Sequence, residues 1–471
     1  MRAVGIILAG GNSFRMKELS NKRAIAAMPI AGSFRSIDFA LSSMSNSSIQ
    51  RVAVLTQYNS RSLNQHLSSS KWWDFGRKQG GLFVFPPMVT SDNDFWYRGT
   101  ADAIHQNLDF LKECHEPYVV IASGDCVYKL DYAKVLEYHI AKKADITVVC
   151  KELPSTEDAT RFGVLKMNSD NRITQFDEKP MAAMSHTISC GIYVIRRRQL
   201  IELIERSIEE GRHDFVKDVL IRYKDVKRIY GYKLDSYWSN IASVESYYKT
   251  NMDFLKKEVR DYFFREYPDV HSKVDDNPPA KYNPGCQVKN SLIANGSIIN
   301  GYVENSVIFK KVFVGENCVI KNSIVLNDVY LGDNVYLENC IVESRDTIRA
   351  NTRYVGEKDI KLVIEDEAPD NRGRIPSEPE VHPEEESRRR LIKIIRERLD
   401  DPVVKDLSVA DGPRVPLPHM KVAGIVDSLH VLHLRLKRRS LEERILVVVQ
   451  LDLESVRRSV VHKPLGTGIP G

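Results

Sequence analysis

Glycines and charged residues follow the first apolar run of the chain. The segment Leu8-Ala9-Gly10-Gly11 ends that run, and Arg15 comes four residues later. Glycines at a strand-to-loop turn let the backbone approach a ligand, and exposed N–H groups there can hold phosphate or a nucleotide base. The loop therefore predicts contacts with a nucleotide.

Three later segments carry residues of the same kind. Tyr97 and Gly99 precede a predicted helix, Asp125 follows a buried apolar run, and Glu178 and Lys179 stand side by side. A carboxylate at the C-terminal end of a parallel strand lies where such sheets bind ligands. Taken singly, Asp125 is also compatible with a turn or helix cap, and Glu178 with Lys179 is compatible with a surface ion pair.

Short β-branched runs alternate with amphipathic stretches over residues 1–250. The runs are Val4–Ala9, Val52–Thr56, Tyr118–Ala122, Ile146–Cys150 and Cys190–Ile195, and the helical stretches include Thr100–Cys114 and Tyr132–Lys143. This alternation predicts an α/β domain with a mainly parallel, Rossmann-like sheet and helices on both faces. Residues 251–284 predict a helix and a proline-rich linker.

A five-residue pattern repeats in the next segment. It begins at Lys289, Glu304, Lys321 and Glu338, and the last three copies are 17 residues apart. Apolar residues recur about every six positions within them, a spacing that helical periodicity cannot produce but three short strands per coil can. We therefore predict a left-handed parallel β-helix over residues 285–365.

The remaining residues, 366–471, differ in composition. No aromatic residue occurs after Tyr354, and the segment contains the charge block PSEPEVHPEEESRRR. Few aromatic anchors and blocks of like charge are typical of chains that do not build a packed core. We predict a mostly disordered tail or an aberrant reading of the C-terminus; a small partner-binding module is the alternative.

Composition excludes several classes of protein. The formal net charge is only +5, which gives no reason to invoke nucleic acid or an anionic membrane. No apolar run approaches the ~20 residues that span a bilayer. The seven cysteines form no CxxC pair and are odd in number, so reduced thiols in a cytoplasmic protein are the simplest interpretation.

Together the motifs resemble the glucose-1-phosphate adenylyltransferase (ADP-glucose pyrophosphorylase) family over about residues 1–365. The matching segments, in family order, are LAGG near residue 10, FRSIDFALS at 34–42, TQYNSRSLNQHL at 56–67, YRGTADA at 97–103, GDCVYKLDY at 124–132, RFGVLK at 161–166, FDEKP at 176–180, SCGIYVI at 189–195, HDFVKD at 213–218 and YWSNIASVESYY at 237–248. The family makes ADP-glucose and pyrophosphate from ATP and glucose 1-phosphate for glycogen or starch synthesis. The resemblance implies a nucleotidyltransferase domain, a left-handed β-helix and a tetramer.

The resemblance also implies roles for individual residues. Arg15 and Asp125 would be catalytic, and Asp125 would hold Mg²⁺. Nucleotide contacts would come from Leu8, Ala9, Gly10, Gly11, Arg15, Gly99 and Asp125, and sugar-phosphate contacts from Tyr97, Glu178, Lys179 and Ser189.

The chain departs from the family pattern at positions that matter for catalysis. Catalytic members carry a lysine where this chain has Ile25, and an aspartate that completes the metal site where it has Asn240. The chain also has Ser13 for a glycine, Glu18 for a proline and Cys126 for a histidine. Losing a carboxylate and a lysine together predicts weak catalysis or none, because each ~1.4 kcal/mol of lost stabilisation is tenfold in rate.

This pattern resembles the second, regulatory-type subunit of the family, which accompanies a catalytic subunit in some bacteria. A heterotetramer with that catalytic subunit is therefore expected. Three alternatives remain: a competent enzyme in which Asp214, Asp218 or Asp235 approaches the metal, a sugar-nucleotide sensor, and a β-helix acyltransferase. The last is disfavoured because no histidine lies between His271 and His382.

Removing residues 366–471 should leave the melting temperature of the protein nearly unchanged, because a segment without aromatic anchors contributes little to a packed core. Differential scanning calorimetry of the full and truncated chains tests this. A fall of many degrees on truncation would mean that the tail packs on the folded part.

Overall fold

The computed structural model describes residues 2–76, 80–88 and 96–364. All of them belong to one compact unit, Met1–Arg372. The tail predicted at residues 366–471 lies outside the described residues.

The first part of the chain forms an α/β domain. Its strands are β1 Ala3–Ala9, β2 Pro29–Ile30, β3 Phe34–Arg35, β4 Arg51–Thr56, β5 Gly81–Phe85, β6 Tyr118–Ser123, β7 Cys126–Tyr128, β8 Ile146–Glu152, β9 Gly163–Met167, β10 Ile173–Glu178, β11 Thr187–Arg196, β12 Ile229–Lys233 and β13 Trp238–Asn240. Its α-helices are α1 Ser36–Asn46, α2 Arg61–Leu67, α3 Thr100–His105, α4 Leu108–Glu113, α5 Tyr132–Ala141, α6 Arg197–Glu209, α7 Val244–Asp253 and α8 Lys257–Phe264. Short 3₁₀ turns cover Phe14–Ser20, Ile25–Ala27, Ser70–Trp73 and Ala159–Arg161, and a π-helical turn covers Phe215–Ile221.

The main sheet runs in the order β10-β9-β11-β6-β1-β4-β5, with β8 beside β11 and β12 beside β8. Strands β6, β1, β4 and β5 are parallel, whereas β11 is antiparallel to β6 and β8. Neighbouring residues Ile6 and Ile7 of β1 belong to different apolar clusters. Alternate side chains of a strand point to opposite faces, so helices cover both faces, as in parallel sheets generally. The predicted mainly parallel sheet is confirmed.

The helix expected over Thr100–Cys114 is in fact two helices, α3 and α4. Asn107 separates them: its backbone leaves the helical region at φ −118°, ψ 24°. Its side-chain amide donates to the carbonyl of Ala103 and to the hydroxyl of Tyr97. Asparagine side chains compete in this way for backbone partners, a signal that hydrophobic periodicity does not contain.

The second part of the chain forms three parallel sheets. Their strands are β14 Lys281–Tyr282, β15 Gln287–Lys289, β16 Leu292–Ile293, β17 Ile298–Ile299, β18 Tyr302–Glu304, β19 Val307–Ile308, β20 Phe313–Val314, β21 Val319–Lys321, β22 Ile324–Val325, β23 Tyr330–Leu331, β24 Tyr336–Glu338, β25 Cys340–Val342, β26 Thr347–Ile348, β27 Arg353–Val355 and β28 Lys361–Val363. Each sheet takes every third strand. This is the arrangement of the predicted left-handed β-helix, and the predicted fold is confirmed.

The repeated asparagine of the five-residue pattern makes one of the three corners of each coil. Asn290, Asn305, Asn322 and Asn339 all have positive φ, between 41° and 52°. Asparagine tolerates this left-handed conformation better than most residues, which explains why it recurs at the same place. The serine after it also links the coils: the N–H of Ser323 donates to Ser306 Oγ at 3.1 Å, and the N–H groups of neighbouring coils repeat this bond.

One face of the β-helix packs on the α/β domain. We call the shared apolar cluster the seam; it contains Met16, Leu19, Ile25, Met28, Ile30, Phe39, Val127, Ile241, Val244, Tyr247, Phe254, Val259, Phe263, Val307, Phe309, Ile324, Leu326 and Ile341. The seam joins the two 3₁₀ turns that follow β1, together with α1, α7 and α8, to strands β19, β22 and β25.

A buried ion pair lies beside the seam. Arg23 Nη2 is 2.5 Å from Glu343 Oε1, and the Glu343 side chain is 1% exposed. Arg23 Nη1 also donates to Ser344 Oγ at 3.0 Å. This contact ties the segment just before Ile25 to a corner of the β-helix.

Among the described residues, no helix combines the length and the apolarity that a membrane span requires.

Asn322→Ala should lower the melting temperature, whereas Asn322→Gly should change it much less. Alanine in a left-handed conformation costs about 1–2 kcal/mol, and glycine adopts this conformation without steric cost. Glu316→Ala, in an exposed corner without a positive φ, is the matched control. Equal melting temperatures for the alanine and glycine variants of Asn322 would contradict the explanation of the repeat.

Candidate active site

A cleft of about 650 Å³ opens at the carboxyl ends of β1 and β6. Its size is typical of small-molecule sites, and its place is the usual one for ligands of open α/β sheets. The described lining residues are Leu8, Ala9, Gly11, Asn12, Ser13, Phe14, Arg15, Ile25, Ala26, Thr100, Ser123, Asp125, Thr160, Arg161, Phe162, Lys179, Pro180, Met181, Asn240 and Ala242. The structure therefore brings together nine predicted site or replacement positions: Leu8, Ala9, Gly11, Ser13, Arg15, Ile25, Asp125, Lys179 and Asn240.

The first loop is fixed at both ends. The N–H of Gly124 donates to the carbonyl of Leu8 at 3.0 Å, and Ser13 Oγ donates to the carbonyl of Ala242 at 2.7 Å. A Cβ on Gly11 would meet no atom within 4 Å, so the space beside its backbone is open to a ligand.

Asp125 and Asn240 lie at the same end of the strand pair β7–β13, because Asp125 directly precedes β7 and Asn240 is the last residue of β13. Asn240 pairs with Cys126 in this antiparallel ladder, and its Nδ2 lies 3.5 Å from the carbonyl oxygen of Asp125. Asn240 Oδ1 accepts from the N–H of Ala242 at 3.0 Å. Asp125 Oδ1 accepts from Ser123 Oγ at 2.5 Å. Asp125 is thus the one carboxylate among the described lining residues, whereas the resemblance implies two.

Ile25 lies in the 3₁₀ turn at the wall of the cleft. It is 5% exposed and belongs to the seam with Met16 and Leu19. The position at which the resemblance implies a lysine is therefore part of an apolar core here, and it supplies no charge to the cleft.

Gly10, Gly99 and Tyr97 are predicted site residues that are not among the described lining residues. A Cβ on Gly10 would lie 3.1 Å from Gln57 Cβ, and one on Gly99 would lie 2.4 Å from the carbonyl oxygen of His213. Tyr97 is 9% exposed, and its hydroxyl donates to the carbonyl of Phe85 at 3.2 Å. These three residues pack against other parts of the chain in this structure, and their contact with a ligand stays a prediction.

Glu178 and Ser189 also lie outside the described lining. Burial raises the pKa of Glu178, and the nearby Asp214 charge raises it further, whereas Lys179 opposes both effects. Lys179 Nζ lies 3.6 Å from Glu178 Oε1. Ser189 is 7% exposed, and its hydroxyl donates to the hydroxyl of Tyr193 at 3.3 Å. Their role in sugar-phosphate binding likewise stays a prediction.

Arg161 is a cleft residue that the sequence did not single out, although its segment RFGVLK marked the resemblance. It ends the 3₁₀ turn Ala159–Arg161, which Asp158 caps. Its Nη2 donates to Ser243 Oγ at 2.9 Å. Only the fold brings this turn beside the first loop, so no local signal could have identified it.

Mg²⁺ is expected from the resemblance, and the cleft residues fit it only in part. No group of three or more His, Cys, Asp or Glu side chains that could hold a metal occurs within the described ranges. Mg²⁺ often binds through one or two carboxylates together with substrate phosphates and water. The Asp125 carboxylate would then hold an ion that arrives with the nucleotide, rather than one bound by the protein alone.

Comparison with known proteins adds a decisive observation. The family model described as "Nucleotidyl transferase" matches residues 4–257, and the one described as "GlmU-like, C-terminal hexapeptide" matches residues 278–361. A glucose-1-phosphate adenylyltransferase of Bacillus subtilis (strain 168) is 38% identical over 68% of this chain and 84% of its own length. The corresponding protein of Thermosipho africanus (strain TCF52B) is 40% identical over 67% and 77%.

The chain belongs to the glucose-1-phosphate adenylyltransferase family. A relative in Clostridium novyi (strain NT), 38% identical over 67% of this chain and 84% of its own length, carries the same name. The family assignment predicted from the motifs is confirmed, whereas the regulatory subunit type is a finer statement that these similarities do not reach.

Two glycines in or beside the cleft should behave oppositely when changed to alanine. Gly99→Ala should lower the melting temperature, because its Cβ would overlap backbone atoms of His213 and such overpacking costs about 1–3 kcal/mol. Gly11→Ala should leave the melting temperature unchanged but weaken ATP binding, because the methyl group enters space that a ligand's phosphates would use. Calorimetric melting and ATP titration measure the two effects. A stable Gly99→Ala variant, or unchanged ATP affinity in Gly11→Ala, would contradict this account.

Proposed function

We propose that this chain is a subunit of a glucose-1-phosphate adenylyltransferase in glycogen biosynthesis and that its own catalytic activity is weak or absent. The observation that carries the proposal is the pair Ile25 and Asn240 in the wall of an otherwise retained nucleotide cleft. Membership of the family supports the reaction, and the two neutral residues support a modulatory role.

The reaction explains why these two positions matter. A phosphate oxygen of glucose 1-phosphate attacks the α-phosphorus of ATP, the new P–O bond forms, and the bond to the β-phosphate breaks to release pyrophosphate. The attacking oxygen is already ionised, so alignment and neutralisation of charge do most of the work. Mg²⁺, when bound, neutralises charge on the phosphates.

The described residues of this chain perform only part of that work. Arg15 and Lys179 supply cations to the cleft, and Asp125 supplies its one lining carboxylate. At position 25 the side chain is buried in the seam and uncharged. At position 240 the amide is neutral, and its oxygen is already bonded to a backbone N–H. Binding of phosphates should therefore survive better than the chemical step, which needs extra stabilisation in the transition state.

A catalytic subunit of the same family is the partner that fits this role, in a heterotetramer. The expected ligands are ATP, glucose 1-phosphate and ADP-glucose.

The second candidate function, a competent enzyme in its own right, is favoured by the near-complete cleft. In this structure Asp218 Oδ2 accepts a hydrogen bond from the N–H of Asp214 at 2.8 Å. Neither aspartate is among the described lining residues of the cleft.

The double variant Ile25→Lys with Asn240→Asp should raise ADP-glucose formation by more than the product of the two single effects. A lysine without the metal, or the metal without a lysine, leaves the charge half neutralised. An increase of about 100-fold corresponds to about 2.7 kcal/mol, a reasonable share for two charged groups. The assay is pyrophosphate release by the isolated chain from ATP, glucose 1-phosphate and Mg²⁺.

The matched control is Ile25→Met with Asn240→Asp, because methionine is unbranched like lysine but uncharged. It should not show the increase. Turnover by the unmodified chain alone at the usual ~1–1000 per second of enzymes would overturn the modulatory role. A double variant that binds ATP but gains no activity would mean that Ser13, Glu18 or Cys126 also disables the site.

A further inference from the structure

The charges that line the cleft are unbalanced. Its described lining contains three cations, Arg15, Arg161 and Lys179, and one carboxylate, Asp125. Lys179 has a partner in Glu178. In the described part of the chain, neither Arg15 nor Arg161 forms an ion pair with a carboxylate within 4.0 Å.

Arg161 is held so that most of its donors stay available. One nitrogen, Nη2, donates to Ser243 Oγ, and the guanidinium carbon lies 5.8 Å from the ring centre of Phe162. A guanidinium carries five N–H donors in a planar fork. The bond to Ser243 fixes its position, and the remaining donors can reach a ligand in the cleft.

The surroundings of Arg161 make a free cation costly. Burial lowers the pKa of Arg161, and the nearby charge of Arg15 lowers it further, whereas the carboxylates of Glu245, Asp158 and Glu157 offset these effects only in part. A half-buried charge is costly unless it is paired. The N-terminus of α7, capped by Ser243, adds a positive pole beside the same guanidinium. An anion that carries more than one charge would relieve all three effects.

We propose that Arg161 is a phosphate-binding residue of this cleft and that, with Arg15, it holds the diphosphate portion of the nucleotide that leaves as pyrophosphate. This inference rests on the proposed function, since it assigns a ligand group to the same cleft. Planar bidentate binding of phosphate is the geometry that guanidinium groups favour. Arg161 thus preserves anion binding in a cleft in which position 25 has become apolar.

Calorimetric titration of the full chain with pyrophosphate tests the proposal. Arg161→Gln keeps an N–H donor for Ser243 but removes the charge, and Arg161→Lys keeps the charge but loses the fork. Lys166→Gln is the matched control, because Lys166 is exposed and is not among the described lining residues. We expect at least tenfold weaker pyrophosphate binding in Arg161→Gln, an intermediate loss in Arg161→Lys and no change in Lys166→Gln.

Adenosine serves as the uncharged probe of the same cleft. Because it has no phosphate, its affinity should be equal in the unmodified chain and in Arg161→Gln. Equal weakening of adenosine and pyrophosphate would indicate a general distortion and would overturn the assignment. Unchanged pyrophosphate affinity in Arg161→Gln, or a loss in Arg161→Lys as large as in Arg161→Gln, would also overturn it.

Failure of this inference is distinguishable from failure of the proposed function. An unmodified chain that binds neither ATP nor pyrophosphate would overturn the nucleotide cleft itself and both proposals with it. An unmodified chain that binds both, together with an unaffected Arg161→Gln variant, would overturn only the role of Arg161. These titrations require no turnover, so they do not depend on whether the chain is catalytic.

Discussion

The seam between the α/β domain and the β-helix is the constraint on which the rest of the structure depends. It includes residues from the first loop, from α1, from α7 and α8, and from three coils of the β-helix. Burial of apolar surface supplies most of the free energy that holds such parts together, at roughly 25 cal/mol per Å². Phe254 and Phe263, both fully buried with ring centres 5.2 Å apart, lie at its centre. The two folding units therefore cannot be treated as independent.

The seam also explains how the cleft keeps its shape with uncharged side chains at positions 25 and 240. Ile25 belongs to it, and so does Ile241, the residue after Asn240. Apolar packing, rather than the catalytic side chains, fixes the backbone at both positions. A neutral residue at either place therefore changes the charge of the cleft without moving its walls. The same packing would place the stem of a lysine at position 25 among apolar side chains, with only its ammonium group reaching the cleft.

Sequence patterns predict those parts of this protein whose conformation depends on residue type and spacing within one segment. The 17-residue repeat predicts three sheets because one coil needs three strands and three corners, and the repeated Asn322 occupies a left-handed corner as its residue type allows. The Gly10-Gly11 loop and Asp125 lie at strand ends because a parallel sheet brings its carboxyl ends to one edge. Arg161 and the break at Asn107 were not predictable in this way. Both depend on contacts between segments, Arg161 with Ser243 and Asn107 with Tyr97.

The ion pair between Arg23 and Glu343 restricts how the sequence of this protein can change. Glu343 is almost fully buried, and its Oε2 has no hydrogen-bond partner among the residues that the structure describes. Its charge is therefore balanced mainly by one guanidinium that comes from the other folding unit. Loss of either partner alone leaves a buried charge without a counterion, at a cost of about 3–5 kcal/mol, whereas exchange of both for apolar residues of similar volume is often neutral. Positions 23 and 343, 320 residues apart in the chain, are thus expected to change together among homologues or not at all.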